Sequence, residues 1–250
     1  MATLTTPTST IHYEEYGSGY PALLFAPGFL SSRIERWRTN PSKPGVDQAW
    51  SDPIPLLSTR FRVVVLDVRN AGRSRGAIAA DDGWHTYTAD HLALLDHLGI
   101  GRCHLMGACI GVSFALALER TRPGTASAFV LQNPIGLAGG NRAAIEQEFD
   151  DWARKVAGWP GVDAALLPGI GRRMFGGEFL FSVTREDVAA CDAPMFLMPG
   201  GDTVHPAETS ADIAKHGRDV EVMSPWKGPD HRDEAVRRVF DFLVANTPAG

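Results

Sequence analysis

Cysteine is scarce in this chain, and that scarcity excludes several classes of protein. Only Cys103, Cys109 and Cys191 are present, an odd number with no CxxC pair. They support neither a disulfide framework nor a zinc site. Excess positive charge is also lacking. The formal net charge is −5, and the longest basic runs are pairs such as Arg172-Arg173 and Arg237-Arg238. That balance carries no footprint of nucleic-acid binding. No apolar stretch approaches the roughly 20 residues that span a bilayer, and the threonine-rich start, Met1 to Thr10, does not read as a signal peptide. There is no HExxH, no phosphate-cradling glycine loop and no clustered Cys/His set. The expectation is a cytoplasmic protein without metal or organic cofactor, acting on a small molecule and not on nucleic acid or membrane. Its oligomeric state is not legible.

What is present is an ordinary globular composition, 44% apolar and 21% charged over 250 residues, enough for a large core. Strand-like and helix-like segments alternate. Strands are expected at 22–26, 61–67, 102–108, 126–132, 193–199 and 219–224. Helices are expected at 87–98, 110–119, 206–216 and 233–245. Such alternation implies crossover units and a mostly parallel sheet, an α/β fold. Chemistry is then expected beyond the C-terminal strand ends. The alternation stops over residues 134–190, which hold helix-like pieces near 143–157 and 163–175 and many aromatic residues. This stretch is expected to be a helical cap between two parts of the core, 1–133 and 191–250. A second irregular stretch, Ser31 to Asp52, contains Pro41, Pro44 and Gly45.

Four short segments carry candidate chemistry. Gly107-Ala108-Cys109-Ile110-Gly111 stands where a strand turns into a helix. A sharp turn there presents the central residue in a strained backbone, with glycines leaving room for it. The helix N-terminus favours a thiolate, and the Ile110 amide is placed to stabilise an oxyanion. The bland alternative is a buried cysteine at a tight turn. Pro27-Gly28-Phe29 follows an early strand and could supply a second amide, from Phe29, or be a plain turn. The apolar run 194–199 ends in Gly200-Gly201-Asp202, a carboxylate able to orient an imidazole or form an Asx turn. Of eight histidines, His231 alone stands on a loop between the terminal strand and the closing helix. It is the expected base, with His205 its main competitor. His104 reads as a core or edge residue, and His91 and His97 as solvated helix-face residues.

At these residues the chain resembles the α/β-hydrolase superfamily. Asp67-Val68-Arg69-Asn70-Ala71-Gly72-Arg73-Ser74 is similar to that family's D-x-R-G-x-G-x-S loop, with Asn70 where glycine is usual. The resemblance implies Cys109 as nucleophile, Asp202 as acid, His231 as base, and oxyanion amides from Phe29 and Ile110. The chain departs in using cysteine where serine is usual, as dienelactone hydrolases and polyester synthases do. Pro27 replaces the usual histidine, and the stretch from Ser31 to Asp52 is longer than usual. The rest of the pattern looks like capped esterases and lactonases. The implied function is hydrolysis of an ester, lactone or thioester through an acyl-enzyme. Acyl transfer by the same triad and a catalytically slow ligand-binding or sensor role are the alternatives. Trp37, Trp152 and Trp226 are candidate pocket walls, with core packing as their plain alternative.

Overall fold

In the computed structural model, residues 2–39 and 49–249 are described; part of the long stretch from Ser31 to Asp52, with Pro41, Pro44 and Gly45, lies outside them. The strands are β1 (Ala2–Thr5), β2 (Ser9–Tyr16), β3 (Tyr20–Phe25), β4 (Phe61–Leu66), β5 (Arg75–Gly76), β6 (Cys103–Ala108), β7 (Ala126–Gln132), β8 (Met195–Met198) and β9 (Val220–Val222). The helices are α1 (Ile54–Leu57), α2 (Trp84–His97), α3 (Ile110–Thr121), α4 (Arg142–Ala157), α5 (Leu167–Phe175), α6 (Arg185–Ala190), α7 (Ala207–His216) and α8 (Arg232–Ala245). The sheet runs β1-β2-β4-β3-β6-β7-β8-β9, parallel from β4 to β9, with β1, β2 and the short β5 antiparallel at one edge.

The central strands read as continuous apolar runs because both faces are covered. Their side chains alternate between two cores. Leu23, Phe25, Val64 and Leu66 enter one with α2, α3, α4 and α5. Ala22, Leu24, Val63 and Val65 enter the other with α1 and α8. The six strands and four helices expected in the main alternation are all found, with ends shifted by up to three residues. The hairpin β1–β2 carries no such signal. Thr3 and Thr5 alternate with Ala2 and Leu4 in β1, and Glu14 and Glu15 stand side by side in β2, so no continuous apolar run marks this edge of the sheet.

Between β7 and β8 stand α4, α5 and α6. Trp84 Nε1 donates to the Met174 carbonyl at 2.8 Å. Ser113 Oγ donates to the Leu180 carbonyl at 2.9 Å and Ser182 Oγ to the Ser113 carbonyl at 2.8 Å. These bonds fasten the segment to α2 and α3, over the sheet face that carries β6 and its turn.

His91 corrects an expectation. It is 1% exposed rather than solvated, set against Phe25 and Phe114. The helix turns it inward while His97 and Asp96 stay exposed. Burial, aided by the Arg69 charge, lowers its pKa to about 3. The unfolded chain therefore takes up this proton first, and stability falls as pH drops from about 6.5 towards 3, by up to about 1.4 kcal/mol per pH unit. Urea unfolding of wild type and His91→Leu at pH 7.5 and 5.0 checks this. The wild type should lose about 2 kcal/mol more than the variant between the two; equal losses would refute it.

Candidate active site

The sheet order reverses direction between β3 and β6, and the loops leaving these neighbouring parallel strands lie side by side. Such a switch point opens a crevice at the strand ends. Cys109 stands there, between β6 and α3, with φ 58° and ψ −120°. The flanking glycines are required by space. A Cβ on Gly107 would lie 2.2 Å from the Gly111 carbonyl group, and one on Gly111 would lie 2.2 Å from the Phe25 oxygen. The Cys109 amide donates to the Gln132 carbonyl at 3.0 Å, which locks the turn to the end of β7.

Asp202 and His205 form a second tight turn, beyond β8. Each backbone amide donates to the other's carbonyl at 3.2 Å. The Asp202 Oδ1 accepts from the amides of Val204 (3.2 Å) and His205 (3.0 Å) and lies 2.7 Å from His205 Nδ1. A Cβ on Gly200 would lie 2.3 Å from the His205 carbonyl oxygen, so glycine lets the turn close. Asn141 Nδ2 clamps it from the start of α4 through the Thr203 carbonyl, 2.8 Å away. His205 Nε2 is buried and makes no hydrogen bond of ordinary geometry. The Cys109 thiol is the group whose charge and hydrogen bonding act on that imidazole.

The electrostatics of the three groups agree in direction. Burial opposes ionisation of Cys109, which is 5% exposed. The His205 charge and hydrogen bond, with the amides of Gly28 and Ile110, outweigh it and hold the thiol below its ordinary value. Burial also disfavours a charged His205. The Cys109 thiolate and the Asp202 carboxylate overcome that and raise the imidazole to about 9. Asp202 falls to about 2, chiefly through its hydrogen bond to His205. All three shifts run in the direction that favours a thiolate–imidazolium pair backed by a carboxylate.

The sequence model for the alpha/beta hydrolase fold matches residues 21–218. The chain belongs to the alpha/beta hydrolase family. It is 37% identical over 89 residues to a protein named carbamate hydrolase RutD from Pseudomonas syringae, a match covering 36% of this chain and 34% of the relative. It is 30% identical over 129 residues to an N-formylmaleamate deformylase from Pseudomonas putida, covering 51% and 43%. The chain thus matches well under half of the length of these curated relatives. Among solved structures, the enol-lactonase from Burkholderia xenovorans superposes with a TM-score of 0.70 at 16% identity, over 97% of this chain and 100% of the other. That likeness shows the fold.

In this hydrolase-fold chain the Ile110 amide faces the Cys109 sulfur, and Asp202 is linked to that thiol through His205. His231 stands elsewhere. It caps the N-terminus of α8, half-exposed, and its own amide donates to the Gly228 carbonyl at 3.2 Å. The reason lies in the loop before it. Trp226 Nε1 is held by the Pro199 carbonyl at 2.8 Å, and Lys227 Nζ donates to Asn133 Oδ1 at 2.7 Å. These anchors give the strand-end position to an ammonium, whose charge reaches Asp202, and leave His231 four residues further on.

The loop amide that faces the sulfur is that of Gly28, one residue before the expected Phe29. Phe29 instead has φ 50° and lays its ring 5.7 Å from that of Phe175. The three tryptophans are core residues: Trp37 and Trp226 lie under the α1/α8 face, and Trp152 packs inward from α4. A groove of about 520 Å³ does run between α4 and α5, floored by Phe149 and Phe175, but Cys109 is not among its lining residues. Lys227 and a second cation near the thiol, Arg36, carry no motif signal. His205 does carry one: a histidine three residues after the acid can fold back on it through an Asx turn. Among the described residues no cluster of His, Cys, Asp and Glu could hold a metal, and no helix is long and apolar enough to cross a membrane.

A depressed thiol has a direct signature. Burial pushes Cys103 up to about 12 and Cys191 up to about 11, so Cys109 should be the residue that iodoacetamide labels. Its rate constant should change much less between pH 6.5 and 8.5 than that of an ordinary thiol, which changes about fiftyfold. His205→Ala should restore the steep dependence. A change of about fiftyfold in the wild-type protein would refute the depressed thiol.

Proposed function

We propose that this protein hydrolyses an ester, lactone or thioester by covalent catalysis at Cys109, with His205 as the acid–base group and Asp202 orienting it. One observation carries the reading: a thiol at the family's nucleophile turn stands against an imidazole that is itself held by a carboxylate.

The Cys109 sulfur attacks the substrate carbonyl carbon, and a C–S bond forms. Charge develops on the carbonyl oxygen, where the amides of Gly28 and Ile110 are available to receive it. His205 passes its proton to the leaving oxygen or sulfur as that bond breaks. Neutral His205 then takes a proton from water, whose oxygen attacks the thioester. The C–S bond breaks, the acid leaves, and thiolate and imidazolium are restored. The helical segment 134–190 serves in this reading as a lid over the strand ends.

Intact-mass spectrometry after mixing with activated esters, lactones and thioesters tests it. An N-formyl amide and a carbamate belong in the panel, because two relatives are named for such chemistry. An acyl adduct that decays in water and is absent in Cys109→Ala is the expected result. Turnover by Cys109→Ala at the wild-type rate would sink the reading. Decay only when an alcohol, thiol or amine is added would turn it to acyl transfer.

A further inference from the structure

The loop leaving β3 holds more than an oxyanion amide. Ser32 Oγ donates to the Ala26 carbonyl at 2.6 Å, and the Ile34 amide donates at 2.9 Å to Oδ1 of Asp67, a fully buried carboxylate. The other oxygen of Asp67 takes the Arg73 amide at 2.8 Å. Together these bonds fix the short 3₁₀ turn Ile34–Trp37. Arg36 stands on that turn, and its side chain lies flat on Gly28. A Cβ there would sit 2.4 Å from Arg36 Cδ, 2.6 Å from Nε and 3.0 Å from Cζ. Gly28 is the residue whose amide faces the Cys109 sulfur. One small residue thus separates the guanidinium from the nucleophile.

We propose that Arg36 is the anion-binding part of the substrate site, and that the substrate carries a carboxylate which docks on Arg36 while its scissile carbonyl lies at Cys109. The proposal rests on the reading of Cys109 as the nucleophile. Three physical points support it. A guanidinium that lies against Gly28, beside the thiol, can give a ligand carboxylate charge-assisted hydrogen bonds, which are about twice as strong as neutral ones. The planar guanidinium matches a carboxylate edge with two parallel N–H bonds, which an ammonium cannot do. The surrounding field has the matching sign: Arg33 acts on Arg36, and Lys155 of α4 feels Arg33, Arg36 and Arg75. One acidic group, Glu148 of α4, also reaches Arg36. It offsets part of the positive charge. Gly28 is also needed on this account, since any side chain there would displace the guanidinium.

The test compares p-nitrophenyl hexanoate with mono-p-nitrophenyl adipate, equal in chain length and differing in a terminal carboxylate. The wild-type protein should favour the adipate in kcat/KM. Arg36→Gln should cut the ratio of the two values about tenfold or more, mainly through KM, and Arg36→Lys should restore it in part. An unchanged ratio in Arg36→Gln, whatever the absolute rates, overturns the proposal. A second arm needs no turnover. Glutarate should slow iodoacetamide labelling of Cys109 in the wild type and not in Arg36→Gln. Absence of protection in the wild type, or equal protection by inorganic phosphate, overturns it too. Protection by glutarate without any acyl adduct would keep the anion site and sink the nucleophile reading instead.

Discussion

His205→Ala should lower kcat/KM at least a hundredfold on any ester that the wild-type protein cleaves, while His231→Ala stays within about threefold. The size follows from general acid–base catalysis, which contributes about 10²- to 10⁴-fold when one positioned group carries it. His205 is so positioned, with Nδ1 2.7 Å from Asp202 Oδ1 and the ring acting on Cys109. His231 caps a helix. Removing the imidazole also removes the charge that holds the thiol below its ordinary value, so acylation and deacylation both suffer. Single-turnover kinetics on the two variants, with intact mass to follow the acyl-enzyme, make the comparison. The reverse ranking would return the base to the loop after β9 and overturn the assignment. The pH profile of kcat/KM adds a check. His205 is raised to about 9, so the reactive pair persists through neutrality and is lost as pH rises through about 9. Asp202→Asn should bring that limb to lower pH, because the carboxylate is one of the groups holding the imidazole's proton.

The largest single loss of stability is expected from Asp90→Ala, about 3–5 kcal/mol. Arg69 and Asp90 meet through two bonds of 2.8 Å, and each side chain is 4% exposed. Ser9 Oγ donates to the same carboxylate at 2.7 Å. Arg69 also reaches the carbonyls of Thr8 and Ala77, both at 3.2 Å. One guanidinium therefore joins the β1–β2 turn, the strand β5 region and α2. Without Asp90 its charge is left buried and uncompensated, which costs far more than the pair contributes on balance. For a chain of this size the thermal midpoint should fall by roughly 6 to 20 °C. The double variant Arg69→Met/Asp90→Leu should lose much less than the two single changes added together, since neither buried charge remains. Additive losses, or a loss under about 1 kcal/mol for Asp90→Ala, would contradict this account.

The strained turn at Cys109 was legible because what shapes it is local. Gly107, Cys109 and Gly111 are contiguous with the strand and helix that make the turn, and the clashes that demand glycine arise within that unit or with adjacent β3. Asp202 was legible for a similar reason, at the end of an apolar run. The partner of Asp202 was harder. Three histidines follow it, His205, His216 and His231, and position on the terminal loop favoured His231. That choice turned on where the loop after β9 is pinned, by Pro199 and Asn133 from two other strands. The tryptophans show the same limit. Trp37 and Trp226 lie on loops in the sequence, yet both insert into the core under α1 and α8.

By itself, then, the order of residues determined the parallel α/β sheet, the strained cysteine turn and the acid after β8, all of which depend on short-range pattern and backbone sterics. The tertiary structure alone decided that His205 meets the thiol, that Lys227 takes the strand-end position after β9, that His91 is buried, and that Arg36 lies on Gly28. Each of those depends on which loops from distant strands are tied together. Hydrogen bonds such as Ile34 to Asp67 and Lys227 to Asn133 set that, and no periodicity encodes them.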